Sequence, residues 1–164
     1  MEFLRPLEKS PVGAWVRESE WGYAITLCAH AVGMAIVVGI LAMICLRVLG
    51  YGKGVGLGQL RKLSAIAWAG FAINAVSGVM LFFGNARRLA ETTAFQVKLV
   101  FIIAGGASVW MLWRELNSAP DTLGPDGVAT QRAKAIAVAS LGVWLAAIVA
   151  GRTIGYTINF EPLP

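Results

Sequence analysis

Residues 23–46 read YAITLCAHAVGMAIVVGILAMICL, an apolar run without one acidic or basic residue other than His30. About 20 such residues make a helix that crosses the hydrocarbon core of a bilayer, so this run predicts a membrane span. His30 is the single histidine of the chain. An ionisable imidazole is costly in hydrocarbon unless a cavity, a partner or a cofactor lies beside it.

The rest of the composition agrees with a protein built in lipid. Of 164 residues 57% are hydrophobic and 14% charged, with a mean hydropathy of +0.69. A soluble domain carries about 25% charged residues. The 19 glycines would weaken soluble helices, but in a membrane they let helix backbones pack closely. The net charge of +5 comes from bases at span ends, which anchor helices and set orientation, and does not point to nucleic acid. Glu2, Glu8, Glu18 and Glu20 precede a first span too long for a signal peptide, so no cleavable signal is expected. Cys28 and Cys45 lie on one predicted helix about 25 Å apart. They cannot pair with each other and read as small packing residues.

The apolar blocks predict spans over residues 22–49, 63–84, 94–113 and 135–156. Phe3, Leu4, Leu7, Val12, Trp15 and Val16 alternate with charges and predict an amphipathic segment, residues 3–18, on the membrane surface. The fold class expected is all-α, a single integral membrane four-helix bundle with an N-terminal interfacial amphipathic segment. A polar loop, residues 114–134, carries the breakers Pro120, Asp121, Gly124, Pro125, Asp126 and Gly127. Arg47, Lys53, Arg61 and Lys62 stand without an acid between the first two spans, which predicts that loop on the cytoplasmic side. Both termini then face the periplasm of a bacterial inner membrane.

Alternating topology orders the polar residues by depth. His30 lies about 12 Å from the outer end of its helix. Asn74 and Ser77 share a face of the second span, Lys98 enters early in the third, and Arg152 sits near the end of the fourth. All fall in the outer leaflet. Taken singly, Lys98 and Arg152 could snorkel to the interface and Asn74 could be helix–helix glue. Together they outline a pocket with a neutral ligand at depth and two cations at the rim.

That pocket suits haem b, with His30 on the iron and Lys98 and Arg152 on the propionates. Gly33 and Gly78, one turn from His30 and Asn74, would leave room for the macrocycle. A chlorin is an alternative, and a quinone has less use for two cations. Copper is a further alternative, since Met34 shares the face of His30, but no HxxxH, MxxM or CxxC spacing is present. Met80 is the candidate second axial ligand; otherwise the iron is five-coordinate or ligated by a second copy of the chain.

The residues Glu20-Trp21-Gly22-Tyr23, Cys28-Ala29-His30-Ala31-Val32-Gly33, Leu46-Arg47, Gly70-Phe71, Asn74, Ser77-Gly78, Phe95-Gln96-Val97-Lys98-Leu99 and Gly151-Arg152 resemble an uncharacterised bacterial four-span membrane family. More distantly the pattern is similar to HemJ-type protoporphyrinogen oxidases and the copper-resistance protein D family. These place a histidine in the first span and a Phe/Trp-x-x-Lys-Leu element at the start of the third. The resemblance implies that His30 is a haem ligand and that Lys98 is functionally required. Where that pattern has Asp-Leu-Arg, this chain has Cys45-Leu46-Arg47.

The functions expected are electron transfer or an oxidoreductase subunit with haem b. The alternatives are an accessory subunit of a respiratory, photosynthetic or metal-handling membrane complex, and a copper-handling membrane protein. The partners expected are the lipid bilayer and either further copies of the chain or a larger membrane complex. No nucleophile–base pair, phosphate loop or carboxylate pair stands in the spans, so any enzyme chemistry is that of a cofactor.

Overall fold

The computed structural model describes residues 2–52, 54–118 and 127–159. Lys53, the breakers from Pro120 to Asp126 and residues 160–164 lie outside the described residues. All regular structure among them is helical. After a 3-10 turn at Glu2–Leu4 come α1 (Arg5–Glu8), α2 (Pro11–Glu18) and α3 (Gly22–Leu49). Then follow α4 (Leu57–Arg61), α5 (Ser64–Gly84), α6 (Ala86–Glu91), α7 (Thr93–Ser118) and α8 (Gln131–Asn159).

Four of these, α3, α5, α7 and α8, are long and apolar enough to cross a membrane. The protein is an all-α, four-helix membrane bundle. We call the end bearing the N-terminal helices proximal and the other distal. Large apolar side chains such as Trp68, Val100, Ile103, Leu145 and Val149 are exposed on its outside, where only lipid makes their exposure cheap.

The bundle is two helix pairs, α3 along α5 and α7 along α8, joined where α3 packs on α8. α5 and α7 are not among the closely packed pairs. The core fills the distal half: Ile40, Leu41, Ile44, Cys45 and Val48 of α3 meet Leu112 and Leu116 of α7 and Ala133 and Ala137 of α8. Arg47 is buried there (5% exposed). Its Nε donates to the Val55 carbonyl at 2.6 Å and its guanidinium reaches the Gly127 carbonyl at 3.4 Å, tying both distal connections to α3.

In the proximal half backbones come into contact. A Cβ added to Gly33 would lie 2.6 Å from the Asn74 amide and 2.7 Å from the Gly70 carbonyl. Only glycine permits α3 and α5 to cross this closely. On the other pair, Gly105 receives the indole of Trp144, which a Cβ there would approach to 2.9 Å.

The N-terminal segment is not a lone surface helix. Ser10 caps α2 by accepting from the Gly13 amide at 3.1 Å. Val16, 1% exposed, seats over Gly84 at the end of α5. Glu8 then clamps the segment to α6, accepting from the Arg87 amide and from its Nε, both at 2.9 Å. Burial pushes the Glu8 carboxyl up, but these two hydrogen bonds and the charges of Arg87 and Arg17 outweigh it. The net effect holds it below the usual carboxylate range.

Candidate functional site

His30 and Asn74 exchange two hydrogen bonds across the Gly33 crossing. His30 Nδ1 lies 3.0 Å from the Asn74 carbonyl oxygen, and Asn74 Nδ2 donates to the His30 carbonyl at 2.8 Å. A carbonyl can only accept, so Nδ1 carries the proton. The Ser77 hydroxyl, which donates to the Ile73 carbonyl at 2.6 Å, offers its oxygen to the same Nδ1–H at 3.2 Å. The ring lies over Gly78, where a Cβ would come within 3.1 Å of Cε1.

The other nitrogen points across the bundle. Lys98 Nζ lies 3.4 Å from His30 Nε2. An ammonium has only donors, so the lone pair of a neutral imidazole sits on Nε2. The Lys98 stem packs on Gly151, whose absent Cβ would stand 3.4 Å from Cε. Side chains or backbone of all four spans thus meet at one level: His30 from α3, Asn74, Ser77 and Gly78 from α5, Lys98 from α7, Gly151 from α8.

Nε2 is the atom that can act on a ligand. In metal sites the ligating histidine usually donates its other ring N–H to a carbonyl or carboxylate, which fixes the tautomer. The Asn74 carbonyl does this here. Lys98 has no other hydrogen-bond partner among the described residues, and two of its N–H donors remain. The single carboxylate in the span helices, Glu115, is at the distal end, facing Thr130 and Arg132.

Other expected site residues stand apart. Gly33 is closed by the backbone of α5 and Gly78 is filled by the imidazole itself, so the space at both is taken by helix packing. Arg152 is exposed and its guanidinium sits 5.4 Å from the centroid of the Tyr156 ring. Met80 lines a groove of about 350 Å³ with Val12, Val76, Val79 and Phe83. Six positions from Asn74 but three from Ser77, it stands at the border between the face that meets His30 and that groove. A larger groove, about 520 Å³, runs between α7 and α8 along Val97, Phe101, Gly142, Ala146 and Ala150. Neither groove is lined by His30 or Lys98.

Two features have no counterpart in the sequence reading. Ser108 Oγ lies 2.9 Å from Ser140 Oγ and donates to the Gly105 carbonyl at 2.7 Å, while the Cys45 thiol meets Ser140. This buried polar cluster links α3, α7 and α8. A lone serine in an apolar run gives no sign of it, since its partners come from other spans. The second is a stack of Phe82 on Phe95, centroids 5.6 Å apart and planes within 13°, bridging α5 and α7.

Comparison with protein-family models, with curated proteins and with solved structures finds no match.

Proposed function

We propose that this chain is a small bacterial inner-membrane protein that holds a haem b through His30 and serves electron transfer or an oxidoreductase complex. Both termini face the periplasm in this reading. The observation that carries it is the fixed tautomer: Nδ1–H is held by the Asn74 carbonyl, which leaves the Nε2 lone pair as the ligating atom.

The donor set suits such a group, but Lys98 occupies the approach to Nε2 and neither groove reaches it, so binding would require Lys98 to turn aside. A neutral imidazole with an oriented Nε2 is a proximal ligand of the kind haem uses. Lys98 would be the cation for one propionate, and Arg152, exposed over Tyr156, would be the cation at the rim. Met80 would be the further ligand candidate within this chain, and a second copy of the chain would be the alternative source. When bound, haem supplies one-electron chemistry. The protein's part is to fix the imidazole, keep it neutral and compensate the carboxylates.

Protein purified from haem-replete cells is expected to show a Soret band that His30→Ala abolishes. A colourless preparation, unchanged on adding hemin, would overturn the reading.

A second reading, an accessory subunit of a larger complex, is favoured by the groove containing Gly142, Ala146 and Ala150. A Cβ on Gly142 would meet nothing within 4 Å. Close helix approach is what such residues permit. Size analysis in a mild detergent tests it: a partner-free monodisperse species contradicts it. Copper and chlorin rest on the same Nε2, and metal and pigment analysis of the purified protein separates them from haem.

A further inference from the structure

The two helix pairs meet closely along α3 and α8, while α5 and α7, linked at their proximal ends by α6, are not among the closely packed pairs. Side chains bridge that seam. Phe82 is four residues beyond Gly78 on α5, and Phe95 is three residues before Lys98 on α7. Both spacings return to the same helix face one turn nearer the proximal surface. The stacked rings therefore lie directly proximal to the level where His30 meets Lys98. Behind them sits an ammonium with two unused N–H donors and no carboxylate among the described residues around it. A cation so placed is stabilised by an anion and not by hydrocarbon.

We infer that the α5–α7 seam is a lateral entrance to the His30–Lys98 pair, closed by the Phe82–Phe95 stack, and that it admits an amphiphile with an anionic head. The apolar body lies in the seam and the head reaches Lys98 Nζ. A fatty carboxylate and a lipid phosphodiester share this chemistry. The inference stands on the seam and the uncompensated lysine, and does not require haem to be the occupant.

The single histidine makes the test clean. The full chain is placed in neutral-lipid nanodiscs and treated with diethylpyrocarbonate, following the absorbance of the imidazole product. Phe82→Ala and Phe95→Ala are expected to react about two- to tenfold faster than the parent, the factor that loss of one aromatic pair implies. Phe71→Ala, on an exposed ring of α5, is expected to match the parent. Maleimide labelling guards against general loosening, since Cys28 is exposed and Cys45 is 0% exposed. Faster reaction of His30 with Cys45 still protected supports the entrance. An unchanged rate, or acceleration accompanied by Cys45 labelling, overturns it.

The ligand class is read in the same assay. Oleate is expected to slow the reaction more than methyl oleate does, and Lys98→Met to remove the difference. Slowing by anionic nanodisc lipids alone identifies a bilayer lipid as the source. Equal protection by acid and ester in the parent, with no effect of anionic lipid, overturns the anionic class.

Discussion

His30 is oriented by the atoms that surround it. Its Nδ1–H acceptor is the main-chain carbonyl of Asn74, while the Asn74 side chain serves the His30 carbonyl. The two bonds are therefore separable. Asn74→Leu removes the side-chain bond and keeps the carbonyl. It is expected to lower stability by about 0.6–2 kcal/mol, the range for interhelical hydrogen bonds in membranes. Unfolding in graded detergent measures the loss, and a cost of zero would contradict the assigned bond. The meeting of His30, Asn74, Ser77 and Lys98 was legible from depth alone. The direction of Lys98 was not. Snorkelling toward the rim is the ordinary choice for a lysine there, and what permits the inward course is the bare backbone of Gly151 on a distant span.

Glu8 gives a second test at this scale. Its carboxyl is held below the ordinary range in the folded protein. A depressed value means the clamp contributes fully above the unfolded carboxylate value, and the contribution is lost as pH falls through the folded one. Hydrogen exchange of the α2 amides, referred to the intrinsic rate at each pH, is expected to stay slow at neutral pH and to speed up as pH falls through the folded carboxylate value. Glu8→Gln weakens charge-assisted hydrogen bonds of about 1–3 kcal/mol in total, so its α2 exchange should be faster at neutral pH and lack that acid step. Identical exchange in the two proteins would contradict the clamp.

Among the elements, the four spans followed directly from the apolar blocks, and their ends moved for local reasons. α7 runs on to Ser118, whose hydroxyl donates to the carbonyls of Arg114 and Glu115. α8 begins at Gln131 because Thr130 accepts the Ala133 amide at 3.1 Å. The connection over residues 85–93 contains α6, which turns Arg87 toward Glu8. Hydropathy cannot reveal that partner, 79 residues away. Glycines divide by the same logic into those spent on contacts and those left open. Gly33→Ala forces a Cβ against backbone atoms of α5 and is expected to destabilise by about 1–3 kcal/mol, the usual cost of overpacking. Gly142→Ala meets nothing within 4 Å and is expected to be neutral or mildly stabilising in the isolated protein. Thermal aggregation in detergent ranks the two, and the reverse order would contradict the α3–α5 crossing.

At the scale of the whole molecule, the distal half is a packed core and the proximal half is organised around one imidazole. Arg47 and the Cys45–Ser140–Ser108 cluster bind the distal ends, leaving the proximal ends of α5 and α7 joined by side chains. At the polar level α3 and α5 are in backbone contact at Gly33, while α5 and α7 meet through side chains. Chain order alone does not explain the pairing, since α5 and α7 have the shortest connection and do not pack closely; the close approaches at Gly33 and at Gly105 mark the two pairs. The α3–α8 closure depends on side-chain fit at Ala133, Ala137 and Ile44, which hydropathy does not encode.

The central claim is that His30 Nε2 is the ligating atom while Nδ1 keeps its proton. Nitrogen NMR of protein labelled only at histidine reads both atoms of one ring. On titration with zinc protoporphyrin, a diamagnetic stand-in for haem, the account predicts that the Nε2 resonance moves from lone-pair to metal-bound while the Nδ1–H signal persists. Two unmoved nitrogens, or loss of the proton from Nδ1, would contradict it.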